Sequence, residues 1–307
     1  DSDRLFPRKA TMPRPRATRN KTGPLDTCLS DREDQIEIGI DEAGKGPMLG
    51  RVYTAAVCLP KDKESFEHAA MKDSKRFHSK NLITQTAAYI KGNALAWAVE
   101  YEEPSVIDEI NIRQATFRAM HRAVKNVLAD LLPSAPKSDE ALLLVDGNDF
   151  KPYLIIDEAS GLVPVAHVCI EGGDNKYTSI AAASILAKTE RDAYIDDLVT
   201  RHPTLETYYG IAGNKGYGTS KHMDGLKTHG LSPWHRKTYG GYKDAKLNDE
   251  NFSQIVSLLK ANGKMDLRRL LIRERENVVN YFAQAGLVML VLNILMMIIV
   301  YFLLIFQ

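Results

Sequence analysis

The chain has 307 residues, 40 Lys or Arg and 39 Asp or Glu, and a formal net charge of +1. That length suffices for one large domain or two small ones, and the near-neutral balance excludes a global basic field of the kind that holds nucleic acid unspecifically. The three cysteines, Cys28, Cys58 and Cys169, have no metal-type spacing and suit a reducing, cytoplasmic compartment.

Charge is unevenly spread. Residues 1–25 carry seven Lys or Arg against Asp1 and Asp3, with Pro7, Pro13 and Pro15 among them. This reads as a basic disordered arm over 1–33; a transit peptide is the other reading, opposed by the prolines. "QIEIGID" reads as a first strand, and "RVYTAAVCL" as its hairpin partner across a glycine-rich turn. After a polar loop at 69–77, residues 81–91 suit a short helix. "ALAWAVEYE" suits a third strand with an apolar face of Leu95, Trp97 and Val99. Ser105 and Asp108 have the spacing of a helix cap, predicting one helix running on to Leu132. "ALLLVD" is a wholly apolar strand ending at Asp146, as expected of a strand covered on both faces. "VPVAHVCI" is another strand, and 178–202 a long Ala-rich helix. "YYGIAGNKGYGTS" is a glycine-rich loop, "KHMDGLKTHG" a short helix closed by Gly230, and 249–261 a weaker helix. Strands followed by alternating strand and helix predict an α/β domain, a central mixed sheet flanked by helices with a C-terminal helical extension.

The chain closes differently. Residues 285–306, "AGLVMLVLNILMMIIVYFLLIF", hold no charge, and Asn293 is the one strongly polar side chain. The length fits a membrane-crossing helix, with a buried core helix as the alternative. Upstream lies the basic stretch "RRLLIRERE". The expected organisation is therefore a basic arm (1–33), an α/β domain (34–262), a basic juxtamembrane linker (263–284) and a terminal hydrophobic helix (285–306) anchoring a cytoplasmic domain to a membrane.

Four acids stand at element ends: Asp41 and Glu42 after the first strand, Asp146 after the apolar strand, and Asp174 before the Ala-rich helix. Ligand sites of α/β sheets gather at the carboxyl ends of strands, and hard divalent cations take carboxylate oxygens. Together the four suggest a Mg²⁺ or Mn²⁺ site. Taken singly, each has another reading: Asp174 as a helix cap, Asp146 as a turn residue, Asp41 and Glu42 as solvated charges.

"GIDEAGKGPMLG", "DSK" (73–75), "INIRQAT", "LLVDGN", "GGDNKYTSIAAASILAKTERD", "NKGYGTSKH" and "HGLSPWHRKTY" follow one another across residues 36–240. This succession resembles the type 2 ribonuclease H family (ribonuclease HII). The resemblance implies a ribonuclease H-like fold and an endonuclease that uses divalent metal. Such an enzyme hydrolyses the RNA strand of RNA–DNA hybrids and nicks 5′ of ribonucleotides embedded in duplex DNA. It implies Asp41, Glu42, Asp146 and Asp174 as catalytic metal ligands, and two ions during turnover. The Gly44-Lys45-Gly46 turn would lie beside the scissile phosphate, and Tyr217 would pack on the ribonucleotide. Lys75, Lys188, Lys215 and Lys221 are candidate phosphate contacts and Asn111 a backbone contact. Two departures stand out: Lys45 replaces the family's usual Arg, keeping charge but not the planar fork, and Asn214 stands where many bacterial members have His. The partners expected are a hybrid or ribonucleotide-containing duplex and a membrane, with a monomeric catalytic domain. The alternative is a tethered hybrid-binding protein with cleavage weakened or lost. A zinc site on His222, His229 and His235 is disfavoured by their spacing and by the lack of a cysteine partner.

Overall fold

The alternation of apolar residues from Ile36 onward forms strand β1 (Ile36–Ala43), and the run after the glycine turn forms β2 (Val52–Cys58) antiparallel to it. The computed structural model describes residues 24–71, 74, 77, 79–132, 138–157 and 161–239. The expected helix at 249–261, the linker and the hydrophobic segment 285–306 lie outside these. Among the described residues no helix is long and apolar enough to cross a membrane.

Strand β3 (Ala96–Glu102) pairs antiparallel with β2, while β4 (Ala141–Asp146) and β7 (Ala166–Ile170) add parallel strands on the other side of β1. The sheet order is β3-β2-β1-β4-β7. Helix α3 (Ile112–Leu131) covers one face, packing Phe117, Met120, Val124 and Val127 on Ile38, Ile40, Leu143 and Val145. Helices α1 (Lys80–Asn93) and α4 (Thr178–Arg201) cover the other, with Ile83, Ile90, Ala182 and Ile185 meeting Ala55 and Val57. Each fully buried aliphatic side chain contributes about 1.5–3 kcal/mol.

The alanines of α4 have a steric purpose. A Cβ on Gly39 of β1 would lie 2.2 Å from the backbone carbon of Ser179. Small residues therefore let the helix backbone rest directly on the strand that carries Asp41. The start of α4 lacks a side-chain cap. Instead, the Thr178 N–H donates to the carbonyl of Asp26 (2.9 Å), and the Asp26 N–H to that of Lys176 (2.8 Å). Residues 24–33 of the expected disordered arm are thus placed against the fold, with Leu25 packed on the core.

Several expectations change. The single helix from Ser105 to Leu132 is two: α2 (Pro104–Ile110), entered through Pro104 after Glu103, and α3, separated at Asn111, whose φ is +67°. Asn111 caps α3 by accepting from the Gln114 N–H. Asp108 does not cap. Its carboxylate accepts from the N–H groups of Lys237 and Thr238. On β3, Ala96 and Ala98 face α3 and Trp97 and Val99 face α1 and α4, whereas Leu95 precedes the strand and is 59% exposed. The run "VPVAHVCI" divides between β7 and β6 (Gly161–Pro164), which forms a hairpin with β5 (Leu154–Asp157). The glycine-rich stretch starts inside a short helix, α5 (Thr204–Tyr209), and holds another, α6 (Ile211–Asn214), before α7 (Ser220–His229).

Candidate active site

The parallel register of β1 and β4 pairs Ile40 with Val145. The next residue on each strand is an acid, Asp41 and Asp146, so the two carboxylates emerge side by side. Strand β1 does not finish there. Its ladder to β2 continues through Glu42 opposite Thr54 and Ala43 opposite Tyr53. Asp41 and Glu42 therefore stand where the ladder to β4 has ended but β2 still supports the chain, and the turn begins only at Gly44. Asp174 arrives from β7 through the left-handed Gly172 and a short 3₁₀ turn, Gly173–Asn175.

The four acids line one cavity of about 470 Å³, together with Gly44, Lys45, Gly46, Lys188, Lys215 and Tyr217. Lys221 and Asn111 are not among its lining residues, and Lys75 lies outside the described residues. Burial, then the charges of Glu42 and Asp146, hold the Asp41 carboxyl well above the usual carboxylate range. Each acid is turned to an internal donor. Asp41 Oδ1 accepts from the Glu42 N–H (2.7 Å), and Asp146 Oδ1 from the Gly173 N–H (2.7 Å). Asp174 Oδ1 accepts from Asn175 Nδ2 (3.0 Å), and Glu42 Oε1 lies 2.7 Å from Lys45 Nζ. With the side chains so placed, no group of three His, Cys, Asp or Glu among the described residues is gathered to hold a metal ion. The donor set still fits a hard divalent cation, because it is all carboxylate. A cation among these groups would also reverse the upward shift of Asp41.

The glycines of the turn have local reasons. Gly44 has a φ of +90°, and a Cβ there would meet Arg191 Nε at 2.5 Å; Gly46 lies against the Tyr217 ring. Arg236, fully buried, lies behind the turn. Its guanidinium donates to the carbonyls of Gly44 (2.6 Å), Lys45 (3.0 Å), Gly50 (2.8 Å) and Arg51 (3.0 Å). The planar five-donor fork suits such a convergence of carbonyls.

Tyr217 is 51% exposed. Its loop is pinned by three consecutive carbonyls. That of Lys215 accepts from Arg191, that of Gly216 from the Met48 N–H (2.8 Å), and that of Tyr217 from His222 Nδ1 (2.9 Å). Asn214 adds an acceptor for the Gly216 N–H (2.8 Å) and donates to the Tyr209 carbonyl. The lysines are ion-paired: Lys188 with Asp192, Lys215 with Asp196, Lys221 with Glu206. Of the three histidines, His222 and His235 meet, while His229 stacks on Tyr208.

Sequence reasoning missed Arg236, Arg191 and the serines Ser74 and Ser184, whose hydroxyls lie 3.0 Å apart in the same cavity. All four fall inside quoted motifs, so the signal was their place in those motifs. Nothing local distinguished them from surface polar residues.

A family profile described as Ribonuclease HII matches residues 38–239. A ribonuclease HII of Bacteroides thetaiotaomicron is 44% identical over 216 residues, covering 70% of this chain and 95% of the relative. One from Parabacteroides distasonis is 42% identical over 205 residues, covering 67% and 90%. Among solved structures, the ribonuclease H2 of Pyrococcus horikoshii superposes with a TM-score of 0.52 at 22% identity, covering 69% of this chain and 97% of that one. A Bst ribonuclease HIII in complex with Mn²⁺ gives 0.51 at 17% identity, covering 69% of each chain. These two structural likenesses carry the fold.

Proposed function

This chain belongs to the ribonuclease HII family, endoribonucleases that degrade the RNA of RNA–DNA hybrids, and on that premise we propose how its own residues carry out the hydrolysis. The reading is that Asp41, Glu42, Asp146 and Asp174 form the catalytic centre, acting on hybrid and nicking 5′ of single ribonucleotides in duplex DNA. The observation that carries it is the convergence of four separated acids, the Gly-Lys-Gly turn and Tyr217 on one cavity.

The family's hydrolysis depends on divalent metal, and the ribonuclease HIII neighbour was solved with Mn²⁺. Here the four carboxylates would hold Mg²⁺ or Mn²⁺, two ions during turnover, supplying the positive charge that activates water and stabilises the departing 3′ oxygen. The turn at Gly44-Lys45-Gly46 presents backbone N–H groups to the phosphate, with no Cβ at the glycines to obstruct them. Lys45, now on Glu42, is the cation that can move to a phosphate oxygen when substrate arrives. Tyr217 packs on the ribose, where the 2′-hydroxyl marks RNA. Lys188 and Lys215 contact phosphates and so position the duplex without reading its sequence. Attack by water leaves a 3′-hydroxyl and a 5′-phosphate with no covalent enzyme intermediate.

The tethered, cleavage-deficient alternative finds no support in the site, since all four acids are in place. The domain bounds 34–262, a monomeric state and a membrane anchor at 285–306 rest on sequence alone. The test is incubation of the full chain with Mg²⁺ or Mn²⁺ and a duplex containing one ribonucleotide. A nick 5′ of that residue is expected; products ending in a 3′-phosphate would sink the mechanism.

A further inference from the structure

His222 and His235 are both buried, at 0% and 1% exposure, and neither touches the acid cavity. Their hydrogen bonds determine their protons. His235 Nδ1 accepts from the Ser232 N–H (2.8 Å), so its proton is on Nε2. That proton points at His222 Nε2, 2.9 Å away, which must accept it. His222 then carries its own proton on Nδ1 and donates to the Tyr217 carbonyl at 2.9 Å. The relay runs from Ser232, whose N–H and hydroxyl (2.7 Å) both reach His235 Nδ1, through two neutral rings to Tyr217. Burial lowers the proton affinity of both rings, which agrees with a neutral pair.

The relay also spans the elements that frame the cleft. His235 bridges in backbone to Leu49, just after the Gly-Lys-Gly turn, and the Met48 N–H holds Gly216. Tyr217 leaves its loop with its ring against Gly46 and half exposed to solvent. A half-exposed aromatic ring on a glycine-flanked loop has many accessible orientations unless its backbone is held.

We propose that the His222–His235 pair is a positioning device: a relay of two neutral imidazoles that fixes the Tyr217 peptide, and through it the ring that meets the ribonucleotide. This rests on the reading of Tyr217 as a ribonucleotide contact. Neither histidine touches substrate, so their loss should impair recognition before it impairs the chemical step.

The experiment uses the full chain with Mn²⁺, on a duplex holding one ribonucleotide and on a continuous hybrid. The variants are Tyr217→Ala, His222→Phe, His222→Asn and the double variant Tyr217→Ala/His222→Phe. His222→Phe should raise KM on the single-ribonucleotide duplex about tenfold, the scale of one lost positioning contact, with kcat within about a factor of two. The double variant should be no worse than Tyr217→Ala, since both act through one side chain. His222→Asn, whose amide N–H overlays the imidazole Nδ1–H, should recover most of the loss. Independently of any variant's folding, ¹⁵N shifts of the wild type should report Nδ1–H for His222 and Nε2–H for His235. Losses that multiply in the double variant, or the opposite tautomers, overturn the relay. An effect of Tyr217→Ala without one of His222→Phe removes the positioning role alone. Unchanged discrimination in Tyr217→Ala removes the recognition reading beneath it, and the relay's proposed purpose with it.

Discussion

Arg236 Nη2 donates to the carbonyl of Gly44 at 2.6 Å, although 192 positions separate them in the chain. The contact joins the last described segment to the turn that follows the first two acids. Arg236 meets carbonyls and the Tyr239 hydroxyl, so directional donation dominates over ion pairing here. Arg236→Lys keeps the charge and loses the fork, leaving buried carbonyls unmatched. It should destabilise the protein by roughly 3 kcal/mol and lower turnover even where the protein is folded. Denaturant unfolding paired with steady-state kinetics checks this. Wild-type stability in the Lys variant would show the carbonyls satisfied by other means.

Replacing Asp41, Glu42, Asp146 or Asp174 by its amide removes charge at nearly constant volume. Each of Asp41→Asn, Glu42→Gln, Asp146→Asn and Asp174→Asn should lower cleavage by orders of magnitude while hybrid binding persists, as read by gel shift beside single-turnover kinetics. Full activity in Asp41→Asn would remove that residue from the centre. Because Asp41 is buried beside two like charges, its amide variant should also be at least as stable as the wild type.

Tyr217→Ala should impair nicking at one embedded ribonucleotide without lowering the melting temperature, since the ring is half exposed. A stacking loss of about 1–3 kcal/mol is expected by analogy with single-strand binders. Melting that falls together with activity would make Tyr217 a packing residue. Lys45→Arg should preserve or sharpen selectivity for the RNA–DNA junction, and a sharp fall would show that Lys45 serves a different contact.

Stability should decline as pH falls below neutrality. Burial, then the neighbouring His222, lowers His235 from its ordinary 6.5 to about 3, so its neutral form is the one the fold favours. The unfolded chain takes up the proton first, and stability is lost between about pH 6.5 and pH 3. His235 alone accounts for roughly 2 kcal/mol of loss at pH 5. Groups packed on the two rings include Tyr209, Ser232 and the Tyr217 backbone. His235→Asn should flatten the dependence in urea midpoints taken across that range, and an unchanged slope would assign it to other groups.

Gly39→Ala should cost about 3 kcal/mol, because the added carbon would meet the backbone of Ser179 and a backbone has no rotamer to yield. The displaced strand carries Asp41 two residues on, so activity should fall as well. A variant of native stability would mean that α4 can withdraw.

What could be read beforehand divides along the range of the interactions. Strands β1, β2 and β4 and helices α4 and α7 follow from periodicity and end signals local to each segment. The break at Asn111 was hidden because Ser105 and Asp108 have cap spacing, yet Asp108 answers to N–H groups 129 and 130 residues away. The β5–β6 hairpin was hidden because its exposed side chains, Leu154, Ile156 and Leu162, are apolar as well, so no polar alternation marked the face on which Ile155 is buried. The acids and the Gly-Lys-Gly turn were legible as motifs. Arg236 was not, since its partners are backbone groups from a distant segment, and the histidine relay was not, since it ends on backbone groups, which a side-chain pattern cannot encode.

The dependence of the turn on Arg236 also has a consequence during synthesis. All four acids have been added by residue 174, but the carbonyls of Gly44 and Lys45 wait for their donor at residue 236. A chain still on the ribosome, or one cut short by a premature stop, thus holds the charges without the cradle. An unfinished copy therefore lacks the donor that ties these carbonyls together.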